Sequence, residues 1–285
     1  MEKNSFFDTD FKVKAYFVFM VGLYLFFYRM ISNSMTTQMD YPPFLFGDKE
    51  FFYRIFLASH IPQFITSNRI IAALFDVSIL VFAVLFLVTF KRIYAILFTV
   101  QVMVYFLTYN VITGHHYHGM IALIVISIPF WFKSEQRFNF SWEAVRYYFL
   151  YVFASAALWK ILRGSAFYTD ELSNILKSQQ LNLLLQNPES FRAHIAEYLI
   201  ANPATAHVVL LVNVFVQLTF LAGFFTKRFD KVLFWLAIVF CIANYYVMGI
   251  VSMDLLILDL TLLKWDSIKR YLVKIQVLTP GQFSP

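Results

Sequence analysis

The sequence predicts an all-α, polytopic integral membrane helix bundle of eight spans, with seven as the alternative count. Three observations carry this. Of 285 residues, 60% are hydrophobic and only 14% charged, with a mean hydropathy of +0.65, far from the composition of soluble domains. The 23 basic and 17 acidic residues fall between apolar blocks rather than among them. Residues 93–132 contain no Lys, Arg, Asp or Glu at all. As helix, that stretch would be ~60 Å long, twice a ~30 Å hydrocarbon core, so it must fold back as two spans. A soluble enzyme, a disordered tail and a coiled coil are excluded. The net charge of +6 does not indicate nucleic acid, because the basic residues cluster beside apolar blocks, where membrane topology places them. The single cysteine, Cys241, lies inside an apolar block and leaves no disulfide framework, CxxC pair or thiolate metal site.

Residues 1–285 read as one transmembrane domain. Ala15 to Met30 follows a mixed-charge head and lacks a small-residue cleavage site, so it is expected to be a retained first span. Ile70 to Phe90 is the second, broken only by Asp76. The third and fourth share 93–132, with their turn at Gly114-His115-His116-Tyr117-His118-Gly119. Tyr147 to Ile161, Ala206 to Phe225 and Val232 to Val251 make the fifth, sixth and seventh. An eighth, short span from about Ser252 to Leu263 would carry Asp254 and Asp259.

Orientation follows from counting Lys and Arg on alternate sides. With the N-terminus inside, one side collects Lys3, Lys12, Lys14, Lys91, Arg92, Lys133, Arg137, Arg146, Lys227, Arg228, Lys231, Lys264, Lys269, Arg270 and Lys274. The other receives Lys49, Arg54, Arg69, Arg163, Lys177 and Arg192. Fifteen against six places both termini in the cytoplasm, in what is expected to be a bacterial inner membrane. Residues 32–69 and 163–205 are then outer-face loops with short helices. In the second loop, Thr169-Asp170-Glu171 starts a helix, Asn187-Pro188-Glu189 restarts the chain and Asn202-Pro203 ends it. Phe191, Ile195, Tyr198 and Leu199 share one face, which suits an amphipathic helix lying on the outer leaflet or capping a cavity.

Ionisable groups inside spans are costly and face a bundle interior or a wet cavity. On this topology Asp76, the histidine turn and Lys160 all fall in the outer half, together with Asn213 and Asn244, which predicts a polar cavity open to the outside. Each also has a plain structural reading. Arg29 snorkels to headgroups, Asp76 ties helices by pairing with Arg29 or Lys160, and Lys160 either snorkels or, partly desolvated, serves as a base. His115, His116 and His118 could hold a metal, pass protons to a ligand, or simply hydrate the loop. Gln217 and the Tyr245-Tyr246 pair read as packing residues. No HExxH, nucleophile elbow, phosphate loop or dinucleotide fingerprint is present.

The run from Tyr147-Tyr148-Phe149 to Ala156-Ala157-Leu158-Trp159-Lys160, followed by Arg163-Gly164, resembles the lysine-terminated span of the HTTM (horizontally transferred transmembrane) proteins. That superfamily includes the membrane domain of the vitamin K-dependent gamma-carboxylase. His115-His116-Tyr117-His118-Gly119 is similar to its histidine-containing helix opening. The likeness covers most of the chain as hydropathy and is motif-like from about 110 to 165. It implies Lys160 as a base on the outer face, acting on a lipid-soluble, quinone-like cofactor or an exported peptide. In place of a Lys-Lys doublet the chain has Trp159-Lys160. Gln217-Leu218-Thr219-Phe220-Leu221-Ala222-Gly223, running on to Lys227-Arg228, resembles the DoxX and MauE membrane proteins, which serve redox chemistry and usually carry a glutamate where Gln217 stands.

The expected site is therefore Lys160, His115, His116, His118 and Asp76 around one outward-opening cavity, with no metal assigned. Whether it is catalytic stays open. The competing expectation is a non-catalytic subunit or chaperone of a larger membrane complex, whose 35 Phe and 17 Tyr face lipid and partner helices.

Overall fold

A computed structural model describes residues 2–39, 51–113, 119–250 and 255–265. The all-α class holds: every element is a helix or a helical turn, with no strand among the described residues. The chain divides into two compact units, Met1–Trp142 with Lys264–Pro285, and Glu143–Leu263.

In the first unit, α1 (Glu2–Ile31) leads through a 3-10 turn, Thr36–Gln38, to α2 (Phe51–Ala58) and α3 (Ile61–Thr66). α4 (Arg69–Thr89), α5 (Arg92–Thr113) and α6 (Gly119–Ser127) follow, and α6 tightens into a 3-10 turn, Ile128–Trp131. α7 (Glu135–Leu162) begins in this unit and continues into the second. α4 starts where Asn68 accepts a hydrogen bond from the Ile70 amide at 2.8 Å, satisfying one of the orphan donors of its first turn. Its buried residues, Ala72, Asp76, Ile79, Ala83, Phe86 and Leu87, recur at helical spacing. The opposite face, with Leu74, Val77, Val81, Val84 and Val88 exposed, is equally apolar. A helix in water would turn polar residues outward, so this one is built for an apolar surrounding. The core is aromatic: the Phe19 ring lies 4.4 Å from Phe86 and 5.0 Å from Phe98, and Phe11 meets Phe130 at 5.4 Å. The charged head expected before the first span is itself helical. Lys14 is buried there, bonded to Asp10 at 2.6 Å and lying over the rings of Phe138 and Trp142.

The second unit takes up the rest of α7, then α8 (Glu171–Gln179), α9 (Leu181–Gln186) and α10 (Phe191–Ala201). α11 (Pro203–Thr219), α12 (Ala222–Phe225), α13 (Asp230–Met248) and α14 (Leu256–Asp259) complete it. Gly164, at φ +78°, ends α7, and Gly249, at φ +73°, ends α13 two residues short of the predicted span. α8 starts at Glu171 and α11 takes Pro203 in its first turn, as the sequence signals require. On α10 the expected amphipathic face is split, with Leu199 turned inward. The buried face of the helix is Ala193, Ala196 and Leu199, while Phe191 and Tyr198 are 68% and 58% exposed. The small alanines permit close packing inward, and Phe191 turns edge-on to Tyr246 of α13 at 5.9 Å.

Arg146, counted by charge as a cytoplasmic loop residue, lies inside α7 and is 2% exposed in its side chain. Its guanidinium donates to both carboxylate oxygens of Asp230, at 3.0 and 2.6 Å, and to the Gly223 carbonyl at 2.9 Å. Gly223 packs closely here, since a Cβ would stand 2.6 Å from a Leu150 methyl and force that side chain to shift. Arg146 thus joins α7 to α12 and to the first turn of α13, where a carboxylate also suits the helix dipole.

Among the described residues, five segments are long and apolar enough to cross a membrane: Asp10–Gln38, Arg69–Thr89, Arg92–Ile112, Pro203–Phe225 and Asp230–Met248. The predicted fourth span is a shorter apolar helix, Met120–Trp131, and the fifth lies in the 28 residues of α7, which carry Arg146 and Lys160. The described part of the predicted eighth span is α14 and the turn Leu260–Leu262, about 10 Å of helix rather than a crossing.

Candidate functional site

The second unit encloses a cavity of about 480 Å³ between α7, α8, α11 and α13. Small residues bring its walls together: Ala157 of α7 is fully buried against Val214 of α11 and Ala166 of the turn after α7. One turn farther along each helix, Lys160 and Gln217 meet, and the lysine ammonium donates to Gln217 Oε1 at 2.8 Å. Lys160 stands near the C-terminal end of α7 and also beside the C-terminal end of α11, about 21 Å along α11 from Pro203. Its depth is therefore set by α11 as much as by the end of its own helix, and it points at a helix partner rather than at headgroups.

The remaining walls are apolar, with Leu172 of α8, Val209 and Leu210 of α11, and Phe240 and Val247 of α13. Two further polar residues open onto the cavity, Asn213 and Asn244. Asn213 Oδ1 is buried and has no hydrogen-bond partner among the described residues. A buried acceptor left unmet costs about 1–3 kcal/mol, which a bound donor would recover. The chemistry of the site is thus an ammonium, an amide pair and an orphan acceptor set in hydrocarbon, in a volume ordinary for a small-molecule pocket.

Among the described residues, Lys160 is the one predicted site residue that lines this cavity. Asp76 belongs to the first unit, where four donors meet it: the amides of Thr36 and Thr37 at 3.2 and 3.1 Å, and their hydroxyls at 2.5 and 3.1 Å. It holds the 3-10 turn 36–38 onto α4, and this is neither of the pairings with Arg29 or Lys160 that its charge suggests. Arg29 is buried as well, not snorkelling; its Nε donates to the Tyr105 hydroxyl and its guanidinium lies over Tyr105 and Tyr109. Tyr105 in turn donates to the Ser34 carbonyl, so the chain leaving α1 is anchored twice. His115, His116 and His118 lie outside the described residues, and among those described no three His, Cys, Asp or Glu gather as a metal site.

Asn213 and Asn244 share the cavity as their predicted depth suggests. Gln217, read from sequence as a packing residue, turns out to hold Lys160. The signal that could have found it is an amide with four hydrogen-bonding positions inside the apolar run of α11, a group that demands a partner there. The tyrosine pair does pack: Tyr245 takes the Arg192 guanidinium over its ring at 5.1 Å and meets Tyr246 at 5.4 Å. No family model, no curated protein and no solved structure matches this chain.

Proposed function

We propose that this chain is an integral membrane protein that takes a lipid-soluble molecule with a polar head into the cavity of its second unit, with Lys160 engaging the head. The observation that carries the reading is Lys160 held by Gln217 at the wall of a largely apolar cavity that Asn213, with its unpartnered Oδ1, also lines. An ammonium and an acceptor together suit a head that both accepts and donates, such as a hydroquinone or a protonated acid, while the hydrocarbon walls take the tail. The likeness to HTTM proteins supports a further role for Lys160 as a base toward that molecule or an exported peptide, with the cavity opening to the outer face.

Lys160→Met keeps the volume and apolar stem of the side chain and removes the charge. With a short-chain hydroquinone as the probe, binding to the purified protein is expected to weaken at least tenfold, from loss of one charge-assisted hydrogen bond of about 1.5–3 kcal/mol. Intrinsic fluorescence titration measures it. Undiminished binding with an unchanged melting temperature removes Lys160 from recognition.

The topology in this proposal places seven crossings, with α6 and α7 added to the five apolar segments, or eight if the end of the chain crosses again. Ser178 and Ser134 are both exposed and lie on opposite sides of the predicted membrane, while the native Cys241 is buried. A cysteine at Ser178 is expected to react with an impermeant maleimide on whole cells, and one at Ser134 only after permeabilisation. The reverse pattern would invert the orientation and turn the cavity argument toward the cytoplasm.

A further inference from the structure

A second cavity, of about 490 Å³, lies in the first unit at the junction of α4 with α5 and of α6 with α7. We infer that it binds a phosphate-bearing anion, presented by a phospholipid headgroup or by a soluble phosphate ester.

Three cations line it: Lys91 and Arg92 from the α4–α5 turn, and Lys133 from the segment joining α6 to α7. No carboxylate is among its described lining residues. Basic residues flanking spans are expected for topology alone, and that requirement is met by any exposed position in a loop. Topology does not require cations of two separate turns to converge on one concave site. Phe90 and Phe130 supply aromatic walls, and Phe130 is wholly buried in the core of the unit, so the floor is fixed.

The backbone supports the same reading. Phe90 closes α4 in the left-handed region, at φ +51°, a conformation that a bulky non-glycine residue rarely adopts. This tight reversal lets α5 begin at Arg92, so that Lys91 and Arg92 stand at the N-terminal end of a 22-residue helix. The positive dipole end of that helix adds to the field of the cations. Helices of the length of α4 and α5 bring their ends to headgroup depth, and basic pockets between helix ends at that depth take anionic headgroups. Arginine offers a fork that matches two phosphate oxygens, and the lysines add point charges.

The test uses the full chain in detergent micelles, with phosphatidylglycerol and phosphatidylcholine as probes and native mass spectrometry as the readout. Two charge-matched variants are compared, K91Q/R92Q/K133Q at the pocket and R137Q/R228Q/K231Q at exposed cations elsewhere. Phosphatidylglycerol is expected to bind the wild type and the second variant alike, and the pocket variant on the order of 100-fold more weakly. Phosphatidylcholine should bind all three weakly. Glycerol 3-phosphate distinguishes the sources: if it displaces phosphatidylglycerol the phosphate alone is read, and if it does not the headgroup must arrive on a lipid. Equal binding of the two lipids, or equal loss in the two triple variants, overturns the site. Should the pocket variant fail to fold, Lys133→Gln alone is expected to weaken phosphatidylglycerol about fivefold, and no change there overturns it equally.

Discussion

Arg146→Leu is expected to cost about 3–5 kcal/mol of stability, enough to leave the second unit largely unfolded or unassembled in a typical membrane preparation. The substitution does not merely delete a salt bridge. It strands the Asp230 carboxylate, a side chain only 9% exposed, and leaves the Gly223 carbonyl without its Arg146 donor. An isolated buried charge is far more costly than a satisfied pair is favourable. That asymmetry makes the prediction sharp in a second variant: Arg146→Leu with Asp230→Leu removes both charges together and should recover most of the loss. Glu143, which also pairs with Lys227, is half-buried and reaches Arg146 only at 3.4 Å, so Glu143→Gln should cost under 1 kcal/mol. Melting temperatures of the purified variants decide the matter. A double variant no better than the single would mean that packing by the arginine stem, not charge pairing, holds α7 to α13.

How far the sequence foretells this architecture depends on whether the signal is local. Helix class, the helix start at Glu171 and the boundary at Pro203 all follow from residues within a turn of the feature they determine. The charge-free run 93–132 had to fold back, and α5 and α6 are its two arms. The pairings in the sites are another matter. Arg146 finds Asp230 across 84 residues and Lys160 finds Gln217 across 57, so neither partner is visible until helix packing is known. Counting cations by side placed Arg146 in a loop because its position near the end of an apolar block fits topology and burial equally well. On α10 the small residues Ala193 and Ala196 mark the contact while Phe191 and Tyr198 face out, as suits an amphipathic helix whose apolar face meets an apolar surrounding. The cavity itself has no sequence pattern, because its walls come from four helices and its polar residues are single amides in apolar runs.

The sequence offers Asp76 two purposes, a tie between elements and a carboxylate of the site, and its replacement should separate them. Asp76→Ala is expected to destabilise the first unit by about 3–5 kcal/mol, because two amides and two hydroxyls lose a charged acceptor in a buried setting, each orphan costing about 1–3 kcal/mol and the set being less than additive. Asp76→Asn keeps the shape but has one acceptor oxygen where the carboxylate has two, so about half of that loss should remain. If Asp76 serves only to hold the turn, a Thr36→Val and Thr37→Val double variant should reproduce the part of the effect owed to the two hydroxyl donors, the two amides remaining. Cysteine introduced at Ser34, whose carbonyl Tyr105 anchors, should then become more reactive in both variants, reporting release of the segment after α1. The opposing outcome is equally specific. An Asp76→Asn protein that melts with the wild type and leaves the reactivity of a Ser34→Cys side chain unchanged, yet loses its activity in cells, would show a carboxylate needed for chemistry rather than for the fold. The four hydrogen bonds at 2.5 to 3.2 Å favour the first result, because a carboxylate so fully engaged has little capacity left for a substrate.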